Sequence, residues 1–377
     1  MELKRSLLTI IVLLQVVFVS QIQNAHSIAV RNEAEAFRLA YDKIKNDELY
    51  RKFEHDWIID IAVTGSNDIK DLIDDGEDAA NATGTDAQKL EKITTFLNKY
   101  KNDQYVANAR LAIGIPLPSF EFDGWRLTPD ARGSFEVGAS LSITESTGTI
   151  TIPGLNFTVT GSDPVIQLYA KEDIRYGLDW LWEFGENWWM DTDFYVKQRW
   201  DMHEAHSASS IQTNSQSFDV LKKSKNITST IDGDFRVGYD QEDGFSFWAG
   251  FDEIKLLKLS DRRGTVGPLK WGDRPGMRAH VDYLFDLSVV TLTPFAGVHQ
   301  RSSYDFDDGL YAGMVFEEDL LGVLSVVATA DNQYITLHPR FRFWIFQLEY
   351  ALKTPSTSNI DGYKLHTQHM ANFRLAF

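Results

Sequence analysis

Apolar and polar residues alternate one for one over long parts of this chain. Between 277 and 289, Met277, Ala279, Val281, Tyr283, Phe285, Leu287 and Val289 alternate with Arg278, His280, Asp282, Asp286 and Ser288. The same period of two carries Phe135, Val137, Ala139, Leu141 and Ile143 against Glu136, Gly138, Ser140 and Ser142. It recurs in Ile231, Phe235, Val237 and Tyr239 against Asp232, Asp234, Arg236 and Gly238. A strand sends successive side chains to opposite faces, so this period predicts strands whose two faces meet different surroundings. An ordinary globular strand runs about five or six residues. A strand that crosses lipid at a tilt needs about nine to eleven, and the pattern here holds over residues 277–289 without a break.

A helical period occurs only before residue 105. Asn32 with Glu35 forms a capping-box pattern ahead of Phe37, Ala40, Tyr41 and Ile44, and Thr85 with Gln88 repeats it ahead of Leu90, Ile93, Leu97 and Tyr100. Between the two, Trp57, Ile59, Ile61 and Val63 predict one strand over 57–63, and the acidic, turn-rich stretch "DIKDLIDDGEDAANATGTD" reads as a helix end and loop. The expected organisation is therefore a helical N-terminal segment over 28–104 with that one strand, followed by strands over 105–377.

Glycine and small polar residues crowd the non-apolar face, and aromatics recur at strand ends. Both features suit an all-β membrane protein, an antiparallel transmembrane β-barrel with its polar face inward and aromatic girdles at its two rims. Closure leaves no unpaired sheet edge in hydrocarbon. At about twenty residues per strand with its share of loop, residues 105–377 give about twelve to fourteen strands. The stretches "DGWRLTPDARG", "SDRRGTVGPLKWGDRPG" and "SYDFDDG" read as exposed connections. Alternation by itself also serves a secreted β-sandwich or a soluble β-helix.

Composition narrows the choice. The chain has no cysteine, which removes disulfides, thiolate metal sites and cysteine nucleophiles. A formal charge of -17 leaves no basic stripe for nucleic acid, which is excluded as a partner. Lys4 and Arg5, the apolar run over 7–19 and the small residues Ala25 and Ser27 follow the pattern of a signal peptide over 1–27, so an exported protein is expected.

The chain ends on Ala371, Phe373, Leu375 and Phe377, alternating with Asn372 and Arg374. This ending resembles the closing strand of bacterial outer-membrane barrels. The resemblance implies an outer-membrane location, lipid as surroundings, and the barrel-assembly machinery as a partner that reads Phe373, Leu375 and Phe377. A strand, an acidic insert, a helix and a strand running into "IPLPSF", with "EDIRYGLDWLW" beyond, resembles more faintly the layout of FadL-type and conjugal-transfer TraF-like barrels. The FadL-type resemblance implies a channel or transporter whose small solute is hydrophobic. The TraF-like one implies a non-conducting protein of envelope assembly or surface interaction, anchored by a filled barrel. The acidic helix near the start departs from the Gly/Asn-rich opening of the family.

Arg278, His280, Asp282 and Asp286 share one strand face, as do Asp232, Asp234 and Arg236, and Glu136 lies on the corresponding face of its own strand. If the apolar face meets lipid, these eight residues line the lumen, either as a charged constriction or as internal ion pairs. An enzyme is not expected, because His280 with Asp282 supplies only two parallel side chains of one strand. "DFDDG" at 305–309 lacks the later ligands of a calcium loop, so no metal or cofactor is assigned.

Overall fold

A computed structural model describes residues 57–144, 149–151, 158–160, 163–207, 225–241, 244–264, 275–301, 306–357, 359–360 and 363–376. The signal peptide expected over 1–27, the helix expected after Asn32, and Phe377 lie outside these residues.

The described chain forms one closed antiparallel barrel of 14 strands. In order these are β1 (Trp57–Ser66), β2 (Gln104–Pro116), β3 (Trp125–Thr144), β4 (Asp163–Phe184), β5 (Trp188–Ser207), β6 (Asn226–Asp240) and β7 (Phe245–Arg262). The second half is β8 (Gly276–Tyr283), β9 (Val290–Arg301), β10 (Leu310–Glu318), β11 (Leu324–Asp331), β12 (Tyr334–Phe343), β13 (Phe346–Pro355) and β14 (Gln368–Ala376). Each strand pairs with its neighbour in sequence, and β1 closes the cylinder on β14 through pairs such as Ile61 with Phe373 and Ala62 with Asn372. The barrel thus begins at Trp57 rather than at residue 105: the single strand expected over 57–63 is its first full member.

Both chain ends of the barrel and the short connections, among them 185–187 and 344–345, lie at one rim. The connection 67–103 lies at the other, together with the strand ends Ser207, Asn226, Arg262 and Gly276. Two helices, α1 (Ile69–Ala80) and α2 (Asp86–Lys99), form most of the connection between β1 and β2. The capping box at Thr85 is present: its N–H donates to Gln88 Oε1 at 2.9 Å and its hydroxyl accepts from the Gln88 N–H at 3.4 Å. The stretch expected to be a helix end and loop forms the 12-residue α1 followed by a loop over 81–85, and Gly76 of α1 lies beside the Phe96 ring of α2.

Leu72, Leu97 and Tyr100 of these helices bury against Tyr105 of β2 and Ile143 of β3. Tyr105, Leu141 and Ile143 share the outward face with Leu111, Phe135 and Val137, so the helices pack on the outside of the wall at the long-loop rim. Here Asp75 accepts from Lys99 Nζ at 2.5 Å and from the Tyr100 hydroxyl at 2.5 Å. These two bonds hold the Asp75 carboxyl below its usual range.

One connection is reassigned. "DGWRLTPDARG" is mostly strand: from Trp125 onward it forms the first half of β3, in continuous register with β4 from Trp125↔Trp182 to Gly133↔Ile174. Its Pro and charged residues mimic a loop, but Thr128 and Asp130 turn inward and are buried while Trp125 faces out, which is the alternation of a barrel wall.

Candidate functional site: the charged lumen wall

The distribution of polarity is the reverse of a soluble protein's. Asp60, Asp173, Asp191, Lys197, Arg199, Asp232 and Lys353 are buried, while Ile61, Ile113, Val137, Leu178, Phe194, Leu337 and Leu348 are exposed. Register explains the sorting, because each cross-strand pair shares a face: Glu136↔Lys171, Asp173↔Arg199, Asp191↔Arg236 and Gly250↔Arg278 all point inward.

The outward face carries an apolar belt of measurable height. On β5 it runs from Trp188 through Met190 and Phe194 to Val196, then gives way to exposed Gln198. On β4 it runs from Trp182 back to Ile174 and ends at exposed Glu172. Each span is about nine residues, which at the usual tilt matches a band about 25 Å tall. The short-turn rim of the belt is aromatic: Trp125 lies 6.4 Å from Trp182, Trp182 4.7 Å from Phe184, Trp188 5.4 Å from Tyr239, and Tyr283 4.6 Å from Phe285.

Inside, charges are joined into a chain across neighbouring strands. Glu136 accepts from Asn108 Nδ2 at 2.8 Å and from the Tyr169 hydroxyl at 3.2 Å, and pairs with Lys171 at 3.4 Å. Lys171 also reaches Asp173 at 3.4 Å, and Arg199 holds Asp173 with Nε at 2.8 Å and Nη2 at 3.1 Å. Lys197 pairs with Asp232, which has no exposed surface. Asp234 accepts from the Tyr195 hydroxyl at 3.1 Å and from the Glu253 N–H at 2.5 Å, and Arg175 lies 4.5 Å over the Tyr195 ring. Asp252 collects Arg236 at 3.2 Å and Arg278 at 2.8 Å. His280 completes the series, with Nε2 3.3 Å from Asp282 and Nδ1 3.0 Å from the Tyr311 hydroxyl. Beside the closing seam, Asp60 of β1 takes Arg110 of β2 at 2.9 Å and Arg374 of β14 at 3.2 Å, so one carboxylate ties the first strand to both neighbours.

Glu136, Asp232, Asp234, Arg236, Arg278, His280 and Asp282 all lie on this inner wall and take part in ion pairs or hydrogen bonds. Asp286 does not join them. The ladder is interrupted at Leu284, and the exposed Asp286 carboxylate accepts from the Ser288 N–H at 2.7 Å, serving the turn at the short-loop rim. Phe373 and Leu375 sit on the outward face of β14, with the Phe373 ring 6.1 Å from that of Phe346. His369 shares that face and meets the Tyr350 hydroxyl at 2.6 Å.

The residues that complete the network, Lys171, Asp173, Arg175, Lys197, Arg199 and Asp252, were not singled out from the sequence. The signal was present in β5, where Asp191, Asp193, Tyr195, Lys197, Arg199 and Asp201 occupy every second position. Inward aromatics were missed too. The Trp189 ring lies over Gly238, its register partner, where an added Cβ would come within 2.3 Å of the ring, and Tyr169 lies over Gly138 in the same way. Glycine is required at both places by the close approach of a ring to the backbone.

The opposite wall differs in kind. Its inward residues Thr291 and Thr293 of β9, Val315 of β10, and Ser325 and Thr329 of β11 are small and half-buried, while Phe295, His299 and Val327 on the same face are buried and the rings of Phe295 and Tyr311 cover Gly313 and Gly297.

No protein-family model matches this chain, and no curated protein matches it in sequence. Among solved structures it is similar to the transport unit of the autotransporter AIDA-I from Escherichia coli, with 9% identity, 92% of this chain and 99% of that one covered, and a TM-score of 0.41. It is similar to the monoaromatic hydrocarbon channel TodX (deltaS2S3 mutant) at 9% identity, 85% and 89% coverage and a TM-score of 0.40. The translocator domain of the autotransporter NalP from Neisseria meningitidis is similar at 8% identity, 92% and 99% coverage and a TM-score of 0.37. Likenesses this distant assign no function, and the finer resemblance to FadL-type and TraF-like barrels is not shown by them.

Proposed function

We propose that this chain is a bacterial outer-membrane barrel that passes a small solute through a narrow lumen, without catalysis. The observation that carries this reading is the inverted wall: an apolar belt of bilayer height outside, aromatic at its short-turn rim, around a polar interior. A closed cylinder with this polarity is stable in lipid and unstable in water, where its outer leucines, valines and phenylalanines would associate. In barrels of this kind short turns face the periplasm and long loops the outside, so the helical connection α1–α2 belongs at the cell surface. Insertion would rest on the barrel-assembly machinery and the C-terminal strand, and export on the signal-like N-terminus.

The route runs beside β9–β11, where small side chains leave accessible surface, whereas the ion-paired wall of β3–β7 holds a fixed shape. His280 has both ring nitrogens engaged within the wall, which favours a structural over an acid–base role. Single-channel recording in planar bilayers tests this. Small, uniform current steps are expected, reduced by Thr293→Trp and Thr329→Trp on the small-residue wall. An absence of steps from a folded, inserted protein would replace this reading by a second one, a non-conducting envelope anchor. That second reading is favoured by the burial of Lys197, Arg199, Asp173 and Asp232 on the inner wall.

A further inference from the structure

The inner wall sorts its charges by depth. Arg110 pairs with Asp60 at 2.9 Å, Arg132 with Asp130 at 2.7 Å, Arg175 with Asp234 at 3.9 Å and Arg278 with Asp252 at 2.8 Å. In each pair the guanidinium is the member nearer the lumen: the four arginine side chains are 19–25% exposed, whereas the four carboxylate side chains are 5–11% exposed. All four arginines stand at inward positions of their strands, so the surface they keep faces the lumen. Arg175 falls within the apolar span of β4 from Trp182 to Ile174, and Arg132 is its register partner. Among the described residues, the inward carboxylates that keep accessible surface are Glu183, Asp240, Asp261, Glu317 and Asp331, and each occupies the last or next-to-last position of its strand. Accessible negative charge thus stands at the ends of the strands, and accessible positive charge within the passage.

Register adds a second, independent observation. Arg132 of β3 stands directly opposite Arg175 of β4, and Arg175 directly opposite Lys197 of β5. Like charges opposite one another weaken a ladder. Elsewhere the same wall does the reverse, setting Glu136 opposite Lys171 and Asp173 opposite Arg199. The carboxylates that answer the three cations come instead from other rungs: Asp130 for Arg132, Asp234 and, at 3.5 Å, Glu253 for Arg175, and Asp232 for Lys197. Arg175 is also held 4.5 Å over the Tyr195 ring. A wall built for rigidity alone has no use for a row of cations whose counter-charges sit deeper.

We infer that the lumen selects small anionic solutes bearing a carboxylate or phosphate group, and that Arg110, Arg132, Arg175 and Arg278 are the residues such a solute meets. This rests on the conducting reading above and gives its solute a charge. An ion pair whose cation lies nearer the passage presents its positive end there, and a passing anion is closer to the guanidinium than to the carboxylate behind it. The planar guanidinium also matches the paired oxygens of a carboxylate or phosphate. Rings of arginine are a physical means of anion selection in a pore. The sign runs against the composition: a chain of formal charge -17 would by net charge alone favour cations.

The test is the reversal potential of the full chain in a planar bilayer across a gradient of potassium chloride, whose two ions move almost equally fast in water. The parent should pass chloride in preference to potassium, and added inorganic phosphate should reduce the chloride current. The variant D130N/R132Q removes one cation and the carboxylate behind it and leaves the net charge unchanged. It should lower the chloride-to-potassium permeability ratio about twofold and weaken the block by phosphate. Should that variant lose the heat-modifiable gel shift of a folded barrel, R278Q carries the test and should move the ratio in the same direction. A parent that prefers potassium or shows no preference overturns the inference, as does a ratio that neither folded variant changes. A folded, inserted parent that gives no current steps overturns the conducting reading and this inference with it, a result distinct from current of the wrong selectivity.

Discussion

The two halves of the barrel solve the same crossing differently. Strands β3–β7 run 15 to 22 residues and face the lumen with charges throughout, whereas β8–β14 and β1 run 8 to 12 and include a stretch, β9–β11, where threonine, glycine, serine and valine alternate with Phe295, His299 and Tyr311. About nine residues suffice to cross a bilayer at the usual tilt. The short half is thus little more than a crossing, and the long half raises a wall of equal length again beyond the belt. The difference shows where each half gets its rigidity. Within the short half β9–β11 are fixed mainly by their ladder, while β1 and β12–β14 add buried pairs such as Asp60 with Arg374 and His338 with Glu349. The long half has buried ion pairs such as Arg199 with Asp173 inside, so its shape depends on specific partners.

Removing one partner of that buried pair should have the largest effect. Arg199→Leu leaves the Asp173 carboxylate with only Lys171 in a desolvated site and is expected to cost about 3 to 5 kcal/mol. On the other wall Thr329→Ala should stay within about 0.5 kcal/mol. Urea titration of the protein in lipid vesicles compares the two. Similar losses would mean that the halves do not differ in how they are held.

A charge on the outer face should have the next largest effect, graded by depth. Leu337→Arg, in the middle of β12, should cost about 2 to 4 kcal/mol, and Val281→Arg, two residues from Tyr283 at the aromatic rim, about 1 or less. Gln198→Arg, above the belt on the long half, should be neutral within about 0.5 kcal/mol. The same vesicle titration reads all three. Equal costs would put the belt boundary somewhere other than Gln198 and Glu172.

Acid should have the smallest effect, confined to the helical connection. The Asp75 carboxyl lies below the ordinary aspartate range because of hydrogen bonds from Lys99 and Tyr100. Its contribution is complete above the ordinary aspartate pKa of about 3.9 and is lost as pH falls through its lower folded value. Hydrogen exchange in α1 and α2 should rise below that pH in the parent and already be raised at neutral pH in Asp75→Asn, with the barrel strands unchanged. A parallel rise in β3 and β4 would show that the helices brace the wall.

Much of the wall was legible in the sequence. The residues of β6 and β8 read directly as strands with charges on one face, because a period of two is a local property that needs no partner. The second capping box was legible for the same reason. Loop-like composition concealed the first half of β3, where Pro129, Asp130 and Gly133 occupy regular positions of a wall. The grouping of Asp173 with Arg199, or of Asp252 with Arg236 and Arg278, could not be read, since register across strands fixes it.

By itself, then, the sequence determined that one face of each strand is apolar and the other polar, because side-chain alternation follows from backbone geometry alone. The tertiary structure decided which residues meet. Closure of Trp57–Ser66 onto Gln104–Pro116 and Gln368–Ala376 brings Asp60 between Arg110 and Arg374, residues separated by most of the chain. It also decided that α1 and α2 stand on the outer wall rather than in the lumen. The apolar stripe of Leu72 and Leu97 could have buried on many surfaces, and the fold places it against the outward residues Tyr105, Leu141 and Ile143, at the start of β2 and the end of β3, which it buries.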